Sequence, residues 1–279
     1  MPARDRRPAA VAGTWYPGAA TALVEAVDGH VRGAADGGTP CPRAIVSPHA
    51  GLRYSGPVAA HAYRAVRTCA VGAVVLVGPS HFVPFRGVAV WRRGAWETPL
   101  GVLTIEEGLA SQIARESPVV VERADAHARE HSLEMQLPFV ARLLPGVPIV
   151  PVLMGQQDRA TVDAFGRALA GAVRAWEDET GRTALLVASS DLSHYEDAAT
   201  AARLDGLVAA RIEVGDADGL MDALEDTPGH ACGGGPIVAV MRASAALGAR
   251  HARVLNYADS GDVTGDKSSV VGYLAAALW

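Results

Sequence analysis

The chain is poor in cysteine. Cys41, Cys69 and Cys232 are odd in number and widely spaced, which argues against a disulfide framework and makes a reducing cytoplasm the expected compartment. Long apolar runs are also missing, and no segment approaches the roughly 20 residues that a membrane helix needs. The N-terminus carries Arg4, Arg6 and Arg7. The apolar stretch behind them, residues 9–13, is too short for a signal peptide, and Trp15, Tyr16 and Pro17 interrupt it. Positive charge is not in excess: the formal net charge is -5, so neither nucleic acid nor an acidic membrane surface is an expected partner. No G-x-G-x-x-G follows a strand-like run and no G-x-x-x-x-G-K-[ST] loop occurs, so nucleotide binding has no support. Repeats, low-complexity segments and linkers are absent, and residues 1–279 read as a single domain.

What the sequence has is apolar material in alternating patterns. Hydrophobic residues make up 49% of the chain, ample for a core. Short apolar runs at 44–46, 74–77, 149–153 and 185–188 alternate with helical periodicity. In residues 19–31, for example, Leu23, Val24, Val27 and Val31 recur at helical spacing. This alternation predicts a three-layer α/β domain, with a parallel or mixed central sheet flanked by helices. Further strands are expected at 87–91 and 100–104, joined as a hairpin through residues 94–99, and at 254–257 and 269–274. Helices are expected over 57–66, 132–144 with Pro138 in its first turn or kinking it, 159–176, and from the 231–236 turn to about 247.

Three of the apolar runs lead to histidines. One passes through Ser47-Pro48 to His49. Another passes through Gly78-Pro79-Ser80 to His81. The third passes through Ser189-Ser190 to Asp191 and His194. Open α/β sheets bind ligands beyond the carboxyl ends of their strands, so parallel neighbours would gather these side chains along one edge. His49 and His81 then read as ligands of a transition metal, imidazole suiting Zn, Cu or Fe. The plainer reading of either is a helix cap or a bond to a loop carbonyl.

Cys232 stands among Gly233, Gly234, Gly235 and Pro236 before a helix. It reads as a thiolate favoured by the helix N-terminus, either nucleophile or metal ligand, or else as a small buried residue at a tight turn. Asp191 and His194, three apart, would share a face in a helical turn. His194 could then move a proton near neutral pH while Asp191 orients an imidazole or binds substrate. Otherwise Asp191 is an N-cap. His127 and His131 are four apart and could chelate zinc on a helix, but the glutamates do not fit H-E-x-x-H. His131 and Glu134 also read as outer partners that fix a ligand's tautomer, or as a polar helix start. The acidic stretch 256–262 reads as a turn.

Taken in order, these motifs resemble the Memo family, named for a mediator of receptor-driven cell motility. Its bacterial and archaeal members are called AmmeMemoRadiSam system protein B. The resemblance runs from Ala12-Gly13-Thr14-Trp15-Tyr16-Pro17 through Pro48-His49-Ala50-Gly51 and Gly78-Pro79-Ser80-His81. It continues through His131-Ser132-Leu133-Glu134-Met135-Gln136-Leu137-Pro138 and Ser190-Asp191-Leu192-Ser193-His194-Tyr195 to Cys232-Gly233-Gly234.

The resemblance implies a fold similar to class III extradiol dioxygenases, which hold non-haem iron with two histidines and a carboxylate. His49 and His81 would be the imidazole ligands, with Cys232 in the third position. His194 would be the acid/base, with Asp191 beside it. Trp15, Tyr54 and Ser80 would line the pocket, and the first two match positions that bind phosphotyrosine peptide in animal members. Iron would be the metal, copper the alternative and zinc the last choice. A radical-SAM protein and an AMMECR-like protein would be operon-type partners. The function to expect is a metal-dependent redox enzyme acting on a small organic substrate or dioxygen. The alternatives are a peptide- or partner-binding scaffold on that fold, and a hydrolase using Cys232 and His194 or a zinc-activated water.

Overall fold

The apolar runs pair as parallel neighbours. The structure is a computed structural model that describes residues 5–227 and 229–279, and Arg4 of the basic N-terminal run lies outside them. The first elements are β1 (Arg6–Arg7), α1 (Ala20–Gly33), β2 (Ala44–Ser47), α2 (Leu52–Val66), β3 (Ala73–Pro79), β4 (Val88–Val90), β5 (Ala95–Thr98) and β6 (Gly101–Thr104). Next come α3 (Glu107–Glu116), β7 (Val120–Val121), α4 (Ala124–Ala128), α5 (Leu137–Leu143), β8 (Ile149–Met154), α6 (Arg159–Thr180) and β9 (Ala184–Ser189). The chain closes with β10 (His194–Glu196), α7 (Ala198–Glu213), α8 (Ala217–Asp226), α9 (Gly234–Ala246), β11 (Ala252–Asp259), α10 (Gly261–Thr264) and β12 (Val270–Leu278).

Among the described residues the main sheet runs β10-β12-β2-β9-β3-β8-β4-β7, with β11 paired to β12 on its outer side. Its centre, β2-β9-β3-β8, is parallel, and β12 and β4 add antiparallel partners. The fold is therefore α/β with a mixed sheet between helices. Every residue of β2, β3, β8 and β9 is buried, as expected of strands covered on both faces. Helix α2 packs on β2, β11 and β12 with α1 outside it, and α9 packs on β2, β3 and β9 with α6 outside it. Local signals set the helix ends. Asp158 caps α6 by accepting the Thr161 N–H at 3.0 Å, and Gly181 ends it at φ 66°. Among the described residues no helix is long and apolar enough to cross a membrane.

Several expectations need correction. The hairpin is β5 with β6, because residues 95–98 are themselves a strand that buries Trp96, while β4 joins the main sheet beside β8. Helix α2 begins at Leu52 and carries Pro57 inside it. Its start is fixed by the Leu52 N–H donating to the Trp15 carbonyl at 2.8 Å and by the Ser55 hydroxyl donating to the Ala50 carbonyl at 2.8 Å. The 132–144 helix is a 3-10 turn, Glu134–Gln136, followed by α5, with Pro138 in the first turn of α5. Cys41 and Cys69 form a disulfide, with Cα atoms 5.6 Å apart, joining the loop before β2 to the loop after α2. The cysteine spacing gave no sign of this bond, and cysteine usage therefore no longer points to a reducing compartment.

Candidate metal centre

The strands β2 and β9 are in register at their ends, Ser47 opposite Ser189, and β3 lies on the other side of β9. The loops bearing His49, His81 and Asp191 therefore leave one edge of the sheet. His131 reaches the same place from the turn between α4 and the 3-10 segment. One ligand atom from each of His49, His81 and His131 lies within 4.8 Å of the others. Ring centroids are 5.3 Å apart for His49 and His81, 5.6 Å for His49 and His131, and 4.5 Å for His81 and His131. His49 and His131 are buried, whereas the His81 side chain is 29% exposed, so the group is open on one side. These three residues could hold a metal ion.

Hydrogen-bond bookkeeping sets the tautomers. The Ser189 hydroxyl donates its one proton to the Ser132 carbonyl at 2.6 Å, so it can only accept from the rest. It accepts from Gln136 Nε2 at 2.8 Å and faces His49 Nδ1 at 2.9 Å. His49 must donate from Nδ1, which leaves the Nε2 lone pair free. The Glu130 carboxylate does the same for His81: Oε1 accepts from Nδ1 at 2.9 Å and Oε2 from the His81 backbone N–H at 2.6 Å. Oε1 also accepts the N–H groups of His131 and Ser132, each at 2.9 Å. Burial alone would raise the Glu130 carboxyl, but the His81 and backbone donors hold it at about 2.

Electrostatics favour the neutral form of His49 and His131. Burial drives His49 well below the ordinary histidine range, and the neighbouring His81 and His131 add to this. Burial likewise lowers His131 to about 4, although Glu130 opposes the shift. His131 Nδ1 is buried with no hydrogen-bond partner. Three converging imidazoles, two of them buried, are a donor set suited to a transition-metal cation.

Cys232 borders this group. Its Sγ lies 3.2 Å from His49 Nε2, and its N–H donates to the Asp191 carbonyl at 3.2 Å. Gln157 donates to the Cys232 carbonyl at 2.8 Å, and Gly233 must be glycine because a Cβ there would meet the Ser189 carbonyl oxygen at 2.4 Å. Burial and the nearby Asp191 carboxylate push the thiol up, so the helix N-terminus does not create a thiolate in the metal-free protein. Asp191 does not share a helical face with His194, since residues 191–193 lie in no helix and β10 begins at His194. Its Oδ1 accepts the N–H groups of His49 at 2.7 Å and Ala50 at 3.2 Å, and burial raises its carboxyl to about 7. His194 donates from Nδ1 to the Leu192 carbonyl at 2.8 Å, which leaves Nε2 as a base, and burial lowers its pKa. The Ser80 hydroxyl donates to the Val83 carbonyl at 2.8 Å.

Two expectations about the 127–134 stretch are overturned. His127 and His131 do not chelate together, because α4 ends before His131 and His127 lies between Trp91 and Trp96, with centroids 5.8 and 5.6 Å away. Glu134 touches no imidazole by hydrogen bond, and Glu130 fixes the His81 tautomer instead. His131 itself belongs to the three-imidazole group rather than to an outer position. Sequence reasoning missed Glu130. The only available signal was a carboxylate directly before a motif histidine.

His127 sets an acid limit on stability. Burial and Arg7 lower it to about 3 against 6.5 in the unfolded chain. The unfolded state therefore binds the extra proton, and stability, full above 6.5, falls as pH drops toward 3. The slope is about 1.4 kcal/mol per pH unit for this group, and His49 and His131 act in the same direction. His127→Phe is expected to lose about 2 kcal/mol less than wild type between pH 7 and 5 in denaturant titrations. An unchanged difference would refute the assignment.

Comparison with known proteins gives a consistent picture. A family model described as "Memo-like protein" matches residues 7–277. A MEMO1 family protein of Methanothermobacter thermautotrophicus is 42% identical over 232 residues, covering 83% of this chain and 82% of the relative. One from Aeropyrum pernix is 38% identical, covering 96% of this chain and 97% of the relative. One from Thermotoga maritima is 35% identical, covering 98% and 100%.

Proposed function

Since the chain belongs to the Memo-like family, we propose that it is a metal-dependent redox enzyme, with iron or copper bound by His49, His81 and His131. The observation that carries this is the convergence of three imidazoles, two of them buried and two with Nδ1 committed to protein acceptors. Cys232 Sγ, 3.2 Å from His49 Nε2, is the further donor within reach, and its softness favours copper or iron over hard cations. When bound, the metal would supply Lewis acidity and one-electron chemistry toward a small organic substrate or dioxygen.

The chain's own residues do the rest. Glu130 and Ser189 aim the ring nitrogens. Asp191 fixes the His49 loop by accepting hydrogen bonds from the His49 and Ala50 N–H groups. His194 Nε2, neutral at pH 7, accepts a proton from a substrate group and returns it. The exposed side of His81 gives a ligand its approach.

The test is metal content by mass spectrometry after anaerobic purification. Wild type should carry near-stoichiometric iron or copper. His49→Ala, His81→Ala and His131→Ala should lose it, and Cys232→Ser should abolish the sulfur-to-metal absorption of the copper-loaded protein. Metal retained by all three histidine variants would refute the assignment.

One observation favours a second reading, a partner-binding scaffold. Trp15, Tyr54, Phe82 and Tyr195 are exposed aromatics that neighbour the site histidines in sequence or in space. Tyr195 has φ 65°, the only positive value for a non-glycine among the described residues. Partner binding that survives in the metal-free variants would support it. A radical-SAM or AMMECR-like partner would then co-purify. The hydrolase reading has less behind it, because the nitrogen facing Cys232 belongs to His49, and burial keeps both groups neutral.

A further inference from the structure

Glu134 is a fully buried carboxylate that the metal centre leaves unused. All its partners are donors from one N-terminal segment. It accepts the Ala10 N–H at 2.8 and 3.0 Å, the Val11 N–H at 2.9 Å, the Tyr16 hydroxyl at 2.7 Å and Arg7 Nη1 at 2.6 Å. The start of the segment is also anchored through buried Arg7, and Tyr16 is buried, but Val11 and Ala12 between them are only partly so.

Its tip is Trp15. The indole lies against His131 with ring centroids 4.3 Å apart, and it is 37% exposed on the other side. The Trp15 carbonyl accepts the Leu52 N–H at 2.8 Å, just past the His49 loop. The segment thus crosses from the His131 turn to the His49 loop, and between Arg7 and Trp15 it is Glu134 that takes the Ala10 and Val11 amides.

We propose that Glu134 is a positioning residue that clamps residues 7–16 across the centre, so that Trp15 gates access to His131. A glutamine cannot replace it, because four donating residues meet there and an amide NH₂ accepts nothing. The effect on metal exchange rests on the metal-binding reading above. The shielding of His131 does not.

The test uses the full-length metal-free protein and diethyl pyrocarbonate, with carbethoxylation mapped by peptide mass spectrometry. His251, which is exposed, normalises the rates, and His127, which is fully buried, reports general loosening. Trp15→Ala should speed modification of His131 by about tenfold, equivalent to about 1.4 kcal/mol in the opening equilibrium, while His127 stays slow. Glu134→Gln should do the same and also speed hydrogen exchange at the Ala10 and Val11 amides.

Rates at His131 within twofold of wild type in Trp15→Ala, or a parallel rise at His127, would overturn the gate. Should Glu134→Gln not fold, Trp15→Ala still decides the gate, and Glu134→Asp, which keeps the charge but withdraws the carboxylate, decides the clamp through the same two amides. Unchanged exchange there would overturn the clamp. A Co²⁺ titration of the wild type reads the metal-binding proposal separately. No binding alongside the expected change at His131 would refute that proposal and leave the gate standing.

Discussion

Glu130→Gln is expected to lower stability by about 3–5 kcal/mol and metal affinity by roughly 10–100-fold. The carboxylate receives only donors: His81 Nδ1 and the N–H groups of His81, His131 and Ser132, all between 2.6 and 2.9 Å. Glutamine keeps the volume but turns its own N–H groups toward some of them. Each buried donor left without an acceptor costs about 1–3 kcal/mol. The affinity loss has a separate origin. Without the carboxylate, His81 is no longer held with its Nδ1 protonated, and the Nε2 lone pair is no longer aimed. Denaturant titration of the metal-free variant and competition for Co²⁺ against a chelator measure the two effects independently. Affinity equal to wild type in a folded variant would show that Glu130 supports the loop and not the ligand.

The second large effect is expected at Arg7. Its side chain is 1% exposed and pairs with Glu134, itself fully buried, at 2.6 Å. Nε donates to the His127 carbonyl at 2.7 Å and Nη2 to the Glu130 carbonyl at 2.5 Å, while the guanidinium lies over the Trp96 ring at 4.2 Å. Arg7→Met keeps the packing and removes the charge, leaving an uncompensated carboxylate in the interior. The expected loss is about 3–5 kcal/mol, read from denaturant midpoints at constant slope. Arg7→Lys should recover only part of it, since an ammonium cannot reach three acceptors in a planar fork. A loss below 1 kcal/mol in Arg7→Met would mean that water reaches Glu134.

Much of the fold is legible in the sequence because its signals are local. Val74–Val77 and Leu185–Ala188 are wholly apolar and short, as strands buried on both faces must be. The loops after them carry the histidines, and parallel pairing follows from the alternation with helices. His49 and His81 stand out on the same ground, and Cys232 stands out by the glycines that follow it into its helix.

What is not legible depends on contacts between distant segments. Nothing in the spacing of Glu130, His131 and Glu134 says which carboxylate turns toward His81 and which toward the N-terminus. The break between α4 and the 3-10 turn decides it, by rotating successive side chains away from a common helical face. The Cys41–Cys69 bond is invisible for the same reason. Its cysteines flank one strand–helix unit, and only the path of that unit brings their Cα atoms to 5.6 Å. The β5 strand was hidden because its neighbours Gly94 and Pro99 make a turn reading plausible, while buried Trp96 gives it a reason to pair.

The strand order has a further consequence, for the timing of assembly. In the sheet, β9 lies between β2 and β3, so the loops of His49 and His81 are spaced by a strand that the ribosome makes last of the three. The bonds that orient the centre span 49 residues for His81 and Glu130, and 140 for His49 and Ser189, while the Cys232 contact with His49 spans 183. Closing such long loops is entropically costly and comes late in folding. A chain still being synthesised therefore has no completed centre to load before β9 has emerged, and the surroundings of Cys232 complete later still. By topology alone, the three-histidine centre is assembled only once the chain has been made through β9.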